Sequence, residues 1–115
     1  MVISNRLLKK VHVEKPKNGV GEMTKTVLLT EEEMFSKGKT FAKLVLHPGC
    51  SMGYHEHNGD AEYYYILQGN GEYNCNGNCT SVSTGDLCVV KSGEGHALKN
   101  VGDEDGEAIA LILYC

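Results

Sequence analysis

The stretch Gly49-Cys-Ser-Met-Gly-Tyr-His55-Glu-His57-Asn-Gly-Asp-Ala-Glu62-Tyr-Tyr-Tyr-Ile-Leu-Gln-Gly69 decides how the rest of the chain is read. On extended backbone the side chains of residues i and i+2 share a face, so His55 and His57 can point inward at one ion. Asn58-Gly59-Asp60 then bends the chain, because Asn and Gly enter turn conformations at little cost. Glu62 opens the next strand and returns its carboxylate to the same interior. A fourth donor, His96, follows Ser92-Gly93-Glu94-Gly95 at the start of a later strand. Three neutral imidazoles and one carboxylate suit one divalent transition metal per chain, Mn, Fe, Ni, Co, Cu or Zn, with one or two coordination positions left open.

Around this stretch the apolar segments are strand-sized. Fourteen glycines and two prolines are spread between them, which predicts a mostly β chain with tight turns. Strands are expected at Val11–Glu14, Thr26–Leu29, Thr40–Leu46, Glu62–Leu67, Gly71–Cys75, Thr80–Val82, Asp86–Val90, His96–Val101 and Glu107–Tyr114. Turns at such regular spacing indicate an antiparallel sandwich or barrel. Thr30-Glu-Glu-Glu-Met-Phe35 is the one place for a helical turn, with Thr30 as cap and Glu33 closing a capping box.

Two strands are apolar on both faces. Tyr63, Tyr65 and Leu67 alternate with Tyr64 and Ile66, and Ile109, Leu111 and Leu113 alternate with Ala108, Ala110 and Ile112. A barrel wall wetted on its outside alternates apolar with polar, so these strands need cover on both sides. A second copy of the chain, as a homodimer, or the chain's own N-terminal strands would supply it.

In two ordered motifs the chain resembles the cupin family. The pattern G-x5-H-x-H-x3-4-E-x6-G is met by Gly49, His55, His57, Glu62 and Gly69. The pattern G-x5-P-x-G-x2-H-x3-N is met by Gly85, Gly93, His96 and Asn100, with Lys91 in place of the proline. That exchange relaxes the turn before Gly93 and removes no ligand. The 15 residues from Asn70 to Thr84 that separate the motifs are similar to the short spacing of small, single-domain members. The resemblance implies an all-β, antiparallel jelly-roll (double-stranded β-helix) barrel. It implies a single domain over 1–115, with N-terminal strands or arm at 1–39 and the barrel holding both motifs at 40–114. The residues matching His55, His57, Glu62 and His96 would hold the metal, and dimers are frequent in the family. By strand parity Tyr64 shares the face of Glu62 and is a candidate beside the site. His12 and His47 match no motif and are expected to be satisfied structural groups.

Composition narrows the partners. Eleven basic against fifteen acidic residues give a net charge of -4, with no basic stripe, which argues against nucleic acid. No apolar run approaches the roughly 20 residues that span a bilayer, and the N-terminus does not read as an export signal. These features point to the cytoplasm. Five cysteines, an odd number, then read as reduced thiols, with Cys75 and Cys79 bracketing a hairpin turn. No cluster of Arg or Lys is evident in the loops near the motifs, which speaks against a phosphorylated substrate. The expected function is that of a small metalloenzyme acting on an oxygen-rich small molecule, as a dioxygenase or isomerase-like catalyst. The alternative is a non-catalytic module that binds or senses a sugar or carboxylate through its metal.

Overall fold

The computed structural model describes every residue from Met1 to Cys115. Ten strands follow one another: β1 (Lys10–Glu14), β2 (Glu22–Leu29), β3 (Gly38–Leu46), β4 (Ser51–Glu56), β5 (Asp60–Gln68), β6 (Asn70–Cys75), β7 (Asn78–Ser83), β8 (Leu87–Val90), β9 (Gly95–Asn100) and β10 (Gly106–Tyr114). They form two antiparallel sheets, in the orders β1-β2-β3-β10-β5-β8 and β4-β9-β6-β7. This is the expected antiparallel jelly roll. No helix is long and apolar enough to cross a membrane.

All nine expected strands are present with shifted ends. The tenth, β4, lacks the alternation that announces a strand because Gly53 interrupts it. A side chain on Gly53 would collide with the Lys17 carbonyl oxygen, and one on Gly19 with that of Ser51. The Lys15–Gly19 turn therefore lies directly on β4, and both glycines are requirements of that approach. At Thr30 the capping box forms, with Thr30 N–H donating to Glu33 Oε1 at 2.9 Å and Glu33 N–H to Thr30 Oγ1 at 3.2 Å. It caps a turn and no helix follows, since Phe35 and Ser36 enter the left-handed region at φ 56° and 57°.

Inward side chains of the two sheets meet in a core that includes Ala42, Leu44, Met52, Ile66, Leu98 and Ala110. Parity resolves the doubly apolar strands: Tyr64 and Ile66 face in, while Tyr65 and Leu67 face out. Across the outer face Tyr65 stands opposite both Ile109 and Leu87, and Tyr63 opposite Leu111 and Val89. The chain's own N-terminal strands do not cover this face. They extend the edge of the same sheet, β1 on β2 and β2 on β3, and Tyr65 and Leu87 stay 47% and 59% exposed.

In the β6–β7 hairpin Asn74 stands opposite Cys79 and Cys75 opposite Asn78. Cys75 and Cys79 thus project from opposite faces, and all five cysteines are free. Asn100 closes the connection to β10. Buried at the end of β9, it donates through Nδ2 to the carbonyls of Leu46 and Glu104, both at 2.9 Å, and accepts Gly102 N–H at 2.9 Å. Asn100→Ala should strand those groups and lower stability by about 1–3 kcal/mol. Urea denaturation reads it, and an unchanged midpoint would show that the network does not hold the turn.

Candidate metal centre

Three strands converge on one end of the barrel. His55 comes from β4, His57 follows two residues later, Glu62 lies in β5 and His96 is the second residue of β9, directly opposite His55. The second-motif turn fixes His57 from outside: His57 N–H donates to the Glu94 carbonyl at 3.0 Å, and Gly93 N–H donates to the His57 carbonyl at 2.6 Å. Lys91, in the position where the motif has proline, does not leave this turn loose. Its N–H donates to Glu94 Oε1 at 2.8 Å, and Asn76 Nδ2 donates to Glu94 Oε2 at 3.0 Å. Those hydrogen bonds hold the Glu94 carboxyl below the usual carboxylate range.

The four side chains meet at their tips. Nε2 of His96 lies 3.1 Å from Nε2 of both His55 and His57. Glu62 Oε1 lies 3.1 Å from Nε2 of His57 and of His96, and 3.8 Å from that of His55. Donors bound side by side at about 2.1 Å from one ion stand about 3 Å apart, so the spacing fits a single metal. His96, Glu62 and His57 are buried.

Each ring is oriented by a partner on its far nitrogen. His55 Nδ1 bonds the Gly53 carbonyl at 2.7 Å, His57 Nδ1 bonds Asp60 Oδ1 at 2.8 Å, and His96 Nδ1 bonds the Tyr73 hydroxyl at 2.8 Å. A carbonyl and a carboxylate only accept, so His55 and His57 carry their protons on Nδ1 and, when neutral, turn bare Nε2 lone pairs inward. Lone pairs and a carboxylate aimed at one point repel unless a cation sits there, either a metal or extra protons. Burial alone would raise the Glu62 carboxyl, but the three imidazoles around it, once they also carry a proton on Nε2, hold it well below the usual carboxylate range. The bond to Glu62 raises His57, whereas desolvation lowers His96.

Tyr64 lies where parity puts it, stacked on His96 with ring centroids 5.1 Å apart and planes within 5°. Burial raises its hydroxyl well above the ordinary phenol range, and that hydroxyl donates to Met52 Sδ at 3.6 Å. It forms the wall beside His96 as a neutral phenol. His12 and His47 lie outside the barrel, paired with Glu22 at 2.9 Å and Asp105 at 2.7 Å. The Asp105 hydrogen bond raises His47.

The centre opens into a cavity of about 480 Å³. Lys17, Lys25 and Lys39 line it together with His55, His57 and Glu62. The expectation that no lysines gather at the site is therefore corrected: Lys25 and Lys39 come from the paired strands β2 and β3 and Lys17 from the turn packed on β4, so only the fold brings them together. Asp60 and Tyr73 also escaped sequence reading. Asp60 carried a usable signal, since it lies two residues before Glu62 and shares its face. Tyr73 carried none, as its distance from His96 is closed only by the pairing of β6 with β9.

A jelly roll with this donor cluster in its mouth defines a class of small barrel proteins, and the comparisons agree. The cupin domain profile matches residues 42–112, and the chain belongs to the cupin family. An oxalate-binding protein of Thermotoga maritima is 37% identical over 113 residues, covering 98% of this chain and 93% of that protein. A crystal structure from Thermotoga maritima, described as a predicted oxalate decarboxylase, matches with a TM-score of 0.96 at 36% identity over the whole of both chains. The cupin domain of Schizosaccharomyces pombe Cnp3 matches with a TM-score of 0.78 at 15% identity, over 100% of this chain and 74% of that one, a likeness of fold alone.

Asp60→Ala should remove the acceptor that holds His57 and weaken the binding of a divalent ion by about 10–100-fold. Competition with a chromophoric chelator measures it. An unchanged affinity would mean that Asp60 does not orient the ring.

Proposed function

We propose that this protein binds one divalent transition metal per chain through His55, His57, Glu62 and His96, and uses the open coordination positions to hold a small carboxylate of the oxalate kind. The observation that carries this reading is the convergence of three Nε2 atoms and Glu62 Oε1, with far-side nitrogens already engaged. A preset donor set of this kind offers metal ligation at little ordering cost. The oxalate-binding relative supports the choice of ligand. Oxalate is a bidentate oxygen chelator and would fill adjacent open positions. A second reading, turnover of an oxygen-rich molecule by a dioxygenase or isomerase-like reaction, rests on the same open positions. The relative described as a predicted oxalate decarboxylase favours some catalysis.

His57→Ala should lose most of its metal by elemental analysis while the parent retains close to one ion per chain. In calorimetric titration oxalate should bind the metal-loaded parent and not the metal-stripped protein. Equal metal in both proteins, or equal oxalate affinity with and without metal, would contradict the reading. Ligation needs neutral imidazole, and in the metal-free state the Glu62 hydrogen bond raises His57 above its ordinary value. Protons therefore compete with the ion, and occupancy should fall as pH drops through about 6. A metal content independent of pH down to about 4 would count against histidine ligation.

Residues 1–115 are taken as one domain, with 1–39 extending the barrel of 40–114, because β2 is hydrogen-bonded directly to β3. The outer face bearing Tyr65, Leu67, Leu87 and Leu113 supports a homodimer, since no other part of the chain covers it. Light scattering at micromolar concentration should give twice the 12.5 kDa of one chain. A monomer mass would reject the dimer. The five free cysteines accord with a reducing compartment such as the cytoplasm.

A further inference from the structure

The cavity above the metal centre holds a feature that a metal and a small chelator leave unused. Lys17, Lys25 and Lys39 reach its wall from three different elements. Lys25 stands in β2 opposite Val11 and Leu44, and Leu44 is buried, so this lysine lies on the concave, core-facing side of the sheet. None of the three lysines has a carboxylate within ion-pair distance; Lys43 with Glu107, at 2.8 Å, is the lysine that does.

The backbone presents two of them by unusual means. Lys15, Lys17 and Asn18 all lie in the left-handed region, at φ 45°, 53° and 62°. Non-glycine residues pay for that conformation, and the close approach of Gly19 and Gly53 keeps the turn on β4. Lys39 is the extra residue of a bulge, since Ile112 pairs with Thr40 and Leu113 with Gly38. Bulges re-aim side chains at barrel rims.

Charge and size indicate what the lysines meet. The cavity wall carries these three lysines and three carboxylates, Glu56, Asp60 and Glu62. It is balanced as it stands and gains two positive charges once a divalent ion binds with neutral histidines. Its volume of about 480 Å³ falls within the range of about 300–1,000 Å³ of sites for drug-sized ligands, far more than oxalate fills.

We infer that Lys17, Lys25 and Lys39 form an anion-binding rim, and that the ligand is a polyanion longer than oxalate, with one end chelating the metal and a distal carboxylate or phosphate engaging the rim. This inference rests on the metal-and-carboxylate reading of the same site. Lactate, malate and 3-phosphoglycerate share an α-hydroxycarboxylate end and differ in the distal group, a methyl, a carboxylate or a phosphate. Each is titrated into the metal-loaded parent, into Lys25→Gln and into the double variant Lys17→Gln/Lys39→Gln, with oxalate as a probe of the chelating end.

The parent should bind malate or 3-phosphoglycerate about tenfold or more tighter than lactate, as a charge-assisted contact provides. Whichever binds tighter identifies the distal group. Both variants should keep their metal and lose most of that preference, the loss falling on malate and 3-phosphoglycerate and not on lactate. If Lys25→Gln fails to fold, the double variant on the exposed rim answers the same question. A parent that binds oxalate but prefers neither malate nor 3-phosphoglycerate over lactate overturns the rim and leaves the proposed function standing. Unaltered preference in both variants also overturns it. A metal-loaded parent that binds none of the four overturns both readings.

Discussion

Three imidazole nitrogens and a carboxylate oxygen gathered within 4.8 Å of one another in a barrel interior repel one another when the imidazoles are neutral and no cation lies between them, and the surrounding structure has to oppose that repulsion. It does so from outside the cluster. Gly53, Asp60 and Tyr73 each take a far-side ring nitrogen, and the turn around Gly93 and Glu94 grips the backbone of His57 from both sides. The fold supplies these restraints from both sheets, so the donor geometry belongs to the barrel as a whole and not to the motif residues alone. A cation at the centre would convert the same repulsion into attraction and couple metal occupancy to stability.

The two ends of the barrel divide the work. At one end Leu46, Ile66 and Leu98 line a small recess of about 30 Å³. At the other the polar cluster opens upward between the Lys15–Gly19 turn, β2 and the start of β3. Met52 and Leu44 separate the two, and Tyr64 stands on their level with its hydroxyl bound to the Met52 sulfur. Lys17 and Lys39 are exposed at the mouth, whereas His57, Glu62 and His96 are buried at its base. A divalent ion bound at that base would leave the wall with a net positive charge that attracts anions, although the chain as a whole is acidic.

Local pattern carried most of the architecture. Alternation and glycine-marked turns located nine of ten strands, face parity paired His55 with His57, and the bend before Glu62 and the two cupin-like motifs added Glu62 and His96 to the donor set. What escaped depended on contacts between segments remote in sequence. β4 was hidden because Gly53 serves the approach of the Lys15–Gly19 turn, a constraint with no local signature. Lys17, Lys25 and Lys39 look like scattered surface charges until β2 and β3 are laid side by side and the Lys15–Gly19 turn is folded onto β4. The proline missing at Lys91 suggested a looser turn, yet Glu94, three residues on, restores the restraint by accepting the very N–H that proline lacks. Reading a departure from a motif therefore requires the side chains that follow it.

On the proposed reading the barrel mouth is a single-ion site built by His55, His57, Glu62 and His96. X-ray diffraction from crystals of the protein as purified, with data collected on both sides of a transition-metal absorption edge, locates any such ion. One anomalous peak per chain is expected within bonding distance, about 2.0–2.3 Å, of the three Nε2 atoms and Glu62 Oε1. An empty centre in metal-replete crystals, or a peak bound elsewhere on the chain, would contradict it.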